Sequence, residues 1–227
     1  MSLINFLHSK ARGFVVLLFA EIALGLLIFS TTVSCSIFEK WYGLIGGVVL
    51  MIAAIPFHWY GKKWKIGYLI SFLLNSVGSG MSVSALLVVK GVAADLPQLF
   101  LATLPAAAVL LLVYLMLRIF HRSKSTSVAL ATLLNIVLTV SLVVLWIIYG
   151  YRFYCFAFFC SLISLFYLCV FGITVEHEER SLLRDISFGS FGSLIILTVV
   201  VVFILSEGEI LDGFEPDIEI GKNKKKK

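Results

Sequence analysis

Glu21 is the one acidic side chain set deep inside a long apolar run of this 227-residue chain. It lies eight residues into the run Gly13–Cys35, about 12 Å along a helix that rises 1.5 Å per residue. An ionised carboxylate at that depth in hydrocarbon is costly, so the group must be protonated, hydrogen-bonded or reached by water. Its chemistry is that of a proton or small-cation site, or of a neutral acid that bonds helices together. Three further polar residues fall at matching positions in other apolar runs. Asn75 is eight residues into Gly67–Val89, Asn135 eight into Ser127–Gly150, and Ser193 seven into Ile186–Leu205. If successive runs are antiparallel spans, all four groups share one layer about 10–12 Å from one membrane face. Ser79 joins them through the helical stripe Ser71, Asn75, Ser79 and Ser82, with Gly78 beside it. Glu21, Asn75, Ser79, Asn135 and Ser193 are therefore the candidate intramembrane site. A polar layer used only for packing would have the same residue types, and both readings stand at this point.

The elements that must hold these residues are membrane helices. Hydrophobic residues make up 60% of the chain and charged residues 14%, against roughly 45–50% and about 25% in a soluble domain. A membrane β-barrel would alternate apolar and polar residues over short segments. Here the apolar runs are continuous and about 20 residues long, the length a spanning helix needs. Helices alone satisfy every backbone N–H and C=O within one such segment. Seven runs qualify: 13–35, 41–60, 67–89, 98–120, 127–150, 152–174 and 186–205. The expected fold is an all-α, polytopic helical membrane bundle. It forms a single domain over residues 1–206, followed by a tail over 207–227 that is acidic and then Lys-rich. The fifth and sixth runs meet at Tyr149–Arg152, which demands a very tight link. Pro56 and Pro105 fall inside runs and can kink them.

Lysine and arginine in the flanks set the expected orientation. One side holds Lys10, Arg12, Lys62, Lys63, Lys65, Arg118, Arg122, Lys124, Arg180 and Arg184; the other holds Lys40, Lys90 and Arg152. Ten against three puts the N-terminus in the cytoplasm and, after seven spans, the C-terminus outside. The lysines of the tail argue the other way. They come late, however, behind the acidic stretch Glu207–Glu219. The short loops suggest a plasma membrane. The first run is read as a retained helix; Thr32-Val33-Ser34-Cys35 resembles a lipoprotein cleavage box, but Thr32 and Glu21 depart from that pattern.

Enzyme chemistry is poorly supplied. His8, His58, His121 and His177 all fall at span ends or in loops, so none sits at membrane depth to activate a serine or bind zinc. Gly78-Ser79-Gly80 resembles the serine motif of membrane serine proteases without the histidine base. Glu176-His177-Glu178-Glu179 resembles the paired glutamates of prenyl-protease-like membrane proteins without their later histidine helices. Asp95-Leu96-Pro97-Gln98 holds a single copy of the Pro-Gln pair that seven-span sugar and amino-acid carriers use twice. Cys35, Cys155, Cys160 and Cys169 lack zinc spacing and read as apolar packers. No cofactor or metal is implied, and no nucleic-acid motif accompanies the net charge of +5.

The partner expected first is the lipid bilayer. The Gly/Ser faces of the third and seventh runs offer close helix packing, either inside the chain or against a protein partner or second copy. The sixth run carries Phe153, Tyr154, Phe156, Phe158, Phe159, Phe166, Tyr167 and Phe171 on all faces, which reads as lipid contact. The functional expectation is a small carrier or channel-like protein for an unknown small molecule or ion, proton-coupled through Glu21. The alternatives are a non-catalytic membrane subunit or scaffold and, with least support, a lipid-modifying enzyme.

Overall fold

The computed structural model describes residues 3–38, 42–89, 95–119, 124–150, 152–176 and 181–205, and every regular element among them is an α-helix. Seven described stretches are long and apolar enough to cross a membrane. The protein is therefore a multi-pass α-helical membrane protein. Its helices are α1 (Leu3–Ile37), α2 (Tyr42–Tyr60), α3 (Ile66–Val89), α4 (Leu96–Ile119), α5 (Lys124–Tyr149), α6 (Arg152–Glu176), α7 (Leu182–Ser190) and α8 (Ser193–Leu205). The tail from 207 onward, the flanking residues Lys40 and Lys90, and the histidines His121 and His177 lie outside the described residues.

The helices outrun the apolar cores where polar residues still pair their backbones. Thus α1 begins at Leu3, ahead of Gly13, and α4 begins at Leu96 with Pro97 in its first turn, where a missing N–H costs no helical bond. The seventh span begins at Leu182 because Arg184 and Asp185 complete a first helical turn that hydropathy alone passes over. The tight link between α5 and α6 turns at Gly150, whose φ of 57° lies in the left-handed region. Its N–H closes onto the Trp146 carbonyl at 2.8 Å, a helix ending that glycine adopts at least cost.

Two helices organise the bundle. α3 packs against α1, α2, α7 and α8, and α6 packs against α1, α4, α5 and α7. α1 lies between the two groups, while α5 is the least buried span. The central place of α6 changes the reading of its aromatic residues. Phe156, Phe159, Tyr167 and Phe171 are fully buried; rings spread round all faces meet helices on most of them, and lipid contact is not their main role.

Small residues set the spacing of the α3 seams. The buried residues of α2 are Gly43, Gly47, Met51 and Ala54, one stripe at helical spacing. Across it lie Gly78, Ser82 and Ser84 of α3. On the other side Thr31 donates to the Gly80 carbonyl at 3.1 Å, Ser84 donates to the Ser34 hydroxyl at 2.7 Å, and Ser30 abuts Gly80. Small residues allow this approach, and hydroxyls then bond across it.

A methyl group at Gly47 would strike the Ser82 hydroxyl and stand 2.5 Å from the Gly78 carbonyl oxygen, whereas one at Gly25 meets nothing within 4 Å. Overpacking against a backbone carbonyl costs about 1–3 kcal/mol. Gly47→Ala is expected to lower the thermal unfolding midpoint of the purified protein in detergent, while Gly25→Ala leaves it unchanged or slightly raised.

Candidate functional site

The five candidate residues separate into three places. Asn135 belongs to a seam of α4, α5 and α6. Its Nδ2 donates to the Ser164 hydroxyl at 3.0 Å, and Ser164 reaches the Ala106 carbonyl at 3.4 Å. Thr139, one turn on, donates to the Asn135 carbonyl at 2.8 Å and lies 3.1 Å from the Ser161 hydroxyl. Each polar member has a partner, as a network that joins helices requires.

Glu21 is half-buried on a flank of α1. Seven residues before it on the same flank, Phe14 sets its ring 5.3 Å from that of Tyr114 of α4. The flank turned to α3 carries Phe19, whose ring lies 5.1 Å from Phe72. Two residues separate by about 200° on a helix, so Glu21 faces the α4 side and Asn75 lies beyond α1.

Asn75, Ser79 and Ser193 come together with Ser76, Tyr167 and Ser190 where α3, α6 and the seventh span meet. Asn75 Nδ2 donates to the Ser190 hydroxyl at 3.1 Å, and Ser190 donates to the Ser187 carbonyl at 2.6 Å. Ser79 donates to the Ser76 carbonyl of its own helix at 2.8 Å. Between the helices lies a void of about 10 Å³, lined by Ser76, Ser79, Tyr167, Ser190 and Ser193 and by Gly192, close to the least space that holds one water. Unlike the Asn135 seam, this region is incompletely satisfied. Ser71 Oγ, Asn75 Oδ1, Tyr167 Oη and Ser193 Oγ are buried and have no hydrogen-bond partner among the described residues. The Tyr167 hydroxyl stands beside Ser76 without reaching good hydrogen-bond geometry. An unpartnered polar group in a low-dielectric interior costs about 1–3 kcal/mol; of the four, Tyr167 and Ser193 line the void itself, where an ordered water could reach them.

The chain matches no protein family, no characterised protein and no solved structure. The site must therefore be read from its own geometry.

Its most informative feature is the backbone of the seventh span. The helix breaks between Ser190 and Ser193. There the N–H groups of Phe191 and Gly192 bond three residues back, to Phe188 at 3.0 Å and Gly189 at 3.1 Å. Leu194 and Ile195 do the same, to Phe191 at 2.9 Å and Gly192 at 3.0 Å. The Ser187 carbonyl, which Phe191 would otherwise take, is bonded by the Ser190 hydroxyl. The Phe166 ring fills the position that a Cβ on Gly192 would need, and Val170 and Tyr167 crowd Gly189. Before the break α7 touches both α3 and α6; beyond it α8 stays on α3 and keeps little contact with α6. Short tight-helix stretches inside a longer helix often mark hinges, and discontinuous spans often form transporter binding sites.

His58 reaches this region from the face where α1 begins. Its Nδ1 shares a 2.8 Å hydrogen bond with the Ser187 hydroxyl, and its ring meets Phe191 edge-on at 5.2 Å and Tyr68 at 5.4 Å. Sequence reasoning missed His58 because it ends α2, and missed Tyr167 because it is one aromatic among many. The signals that could have found the site were the spacing of Ser187, Ser190 and Ser193 and the glycines between them.

Separate networks have separable energies. Helix-bridging polar contacts in membranes contribute about 0.6–2 kcal/mol. In a double-mutant cycle of unfolding free energies, Asn75→Ala and Ser190→Ala are expected to couple. Asn75→Ala and Asn135→Ala are expected to add, because distant sites with no shared partner do so within about 0.5 kcal/mol.

Proposed function

We propose that this protein is a small membrane carrier or channel-like transporter whose moving part is the seventh span. The observation that supports the reading is a coincidence of place: the break at Phe191–Gly192 lies beside a void edged by unpartnered buried oxygens. A helix that serves only to join its neighbours gains nothing from a break, and buried polar atoms left over from packing are normally satisfied. A hinge next to unfilled hydrogen-bond capacity is what a solute or ion site that opens and closes requires. In the present arrangement the void takes no more than about one water, so on this reading the site would be closed here.

The bundle would sit in a plasma membrane with its N-terminus cytoplasmic, as the distribution of Lys and Arg implies. Proton coupling through Glu21 remains part of the proposal. From the α4 flank Glu21 would act through the packing of α1 rather than by touching the solute. The scaffold alternative relies on the Gly/Ser faces of the third and seventh spans, and these already pack on α1, α2 and α6.

Thiol accessibility tests the proposal. With Cys35, Cys155, Cys160 and Cys169 replaced, Ser193→Cys and Ser79→Cys are expected to react with a membrane-impermeant methanethiosulfonate reagent. Ser164→Cys, in the satisfied Asn135 seam, is expected to stay unreactive. Equal silence at all three positions would mean a dry, closed bundle and would remove the carrier reading. For the coupling role, Glu21→Gln is expected to abolish carbodiimide labelling of the purified protein while leaving Ser193→Cys reactive.

A further inference from the structure

A second, larger cavity opens where the end of α2 meets α6 and α7, near the face at which α1 begins. Its volume is about 280 Å³, and it is lined by His58, Arg184 and Asp185 together with Val170, Ile173 and Phe188. That is the lower end of the range for small-molecule sites, and the mixture of apolar wall and few polar groups is typical of them.

The charges decide what it can hold. Arg184 is exposed, whereas Asp185 is 8% exposed. The two are neighbours in sequence yet do not pair with each other, and neither forms an ion pair with any described residue. Asp185 Oδ2 accepts a long hydrogen bond of 3.4 Å from Thr174, and its other oxygen accepts none from a described residue. The cavity thus presents one guanidinium and one nearly buried carboxylate, side by side on the first turn of α7 and without an ion pair among the described residues. An anion alone would leave the carboxylate uncompensated, and a cation alone would crowd the guanidinium; an unpaired buried charge is expensive. A ligand carrying both an anionic group and an ammonium, a few ångströms apart, answers both at once. The guanidinium can grip the anionic group through two parallel hydrogen bonds. The Val170, Ile173 and Phe188 wall leaves room for a short apolar part.

We propose that this cavity binds a small zwitterion, with Arg184 on its anionic group, Asp185 on its ammonium and the apolar wall against its hydrocarbon. Two sources share that chemistry: a free α-amino acid with an aliphatic side chain, and the phosphoethanolamine headgroup of a lipid. Phe188 is 63% exposed and Ile173 39% exposed, so the cavity is open to either. His58 links the cavity to the broken span through Ser187. Binding here does not require the seventh span to move, so this inference and the carrier reading fail independently.

The test uses the full-length protein in nanodiscs of phosphatidylglycerol, with radiolabelled L-leucine as one probe and added phosphatidylethanolamine as the other. Native mass spectrometry counts retained lipid. Saturable leucine binding that weakens at least tenfold in Arg184→Gln and Asp185→Asn supports a free zwitterion. Selective retention of phosphatidylethanolamine over phosphatidylglycerol, lost in the same variants, supports a headgroup. Arg184 is exposed, so Arg184→Gln decides the matter even if Asp185→Asn does not fold. The proposal is overturned if neither probe binds above the phosphatidylglycerol background, or if binding is undiminished in Arg184→Gln.

Discussion

A bilayer core holds no water to satisfy a polar atom, so each hydrogen-bonding group buried in this bundle must find its partner in the protein. Most do. Hydroxyls along the spans bond back to their own helices, as Ser30 does to the Leu26 carbonyl at 2.6 Å and Thr198 to the Leu194 carbonyl at 2.9 Å. Others bridge helices, as in the Asn135 seam. Against that background the four unpartnered atoms around Asn75 stand out because they share one region, rather than by their number. The same residue type thus has two environments in one chain. Asn135 is closed by Ser164 and Thr139, whereas Asn75 donates an amide N–H to Ser190 and its carbonyl oxygen has no partner among the described residues.

The second constraint is the distance of approach between helices. Lipid tails are as apolar as the side chains, so association depends on close packing and interhelical hydrogen bonds. Gly43, Gly47, Gly78 and Gly80 bring α1, α2 and α3 near enough for Thr31 and Ser84 to bond across the seams, while Ser82, against Gly47, bonds back to the Gly78 carbonyl. The seventh span uses the same device differently. Gly189 and Gly192 admit the rings of Tyr167 and Phe166, and there the close approach accompanies a break in the helix.

The membrane class, the helical fold and the seven spans were legible in composition and run length, because the bilayer imposes both directly. The polar stripe of α3 was legible as well, since helical periodicity places Asn75, Ser79 and Ser82 together whatever they face. Which polar groups meet was not legible. Matched depth put Glu21, Asn75, Asn135 and Ser193 in one layer, but a layer has a circumference, and only packing decides which side of α1 faces α3. The aromatic residues of α6 were obscure for a related reason. A span apolar all round carries no sign of which faces meet lipid. The break was harder still: Ser190-Phe191-Gly192-Ser193 contains no proline, and the rings that pack against its glycines come from another helix.

Two halves of the seventh span do different physical work, and the break lets them do it. α7 carries charge and hydroxyls: Arg184 and Asp185 line the cavity at the end of α2, Ser187 meets His58, and Ser190 meets Asn75. Beyond Ser193, α8 is apolar apart from Thr198 and follows α3. A continuous helix would tie the polar half to the apolar half through i to i−4 bonds. The tight turn at Phe191 and Gly192 loosens that tie and keeps the freed Ser187 carbonyl satisfied through Ser190. His58 touches both sides of this arrangement, bonding Ser187 in α7 and stacking edge-on against Phe191 at the turn. A ligand charge brought to the cavity at the end of α2 would act first on α7 and His58, and the element His58 touches next is the turn at Phe191.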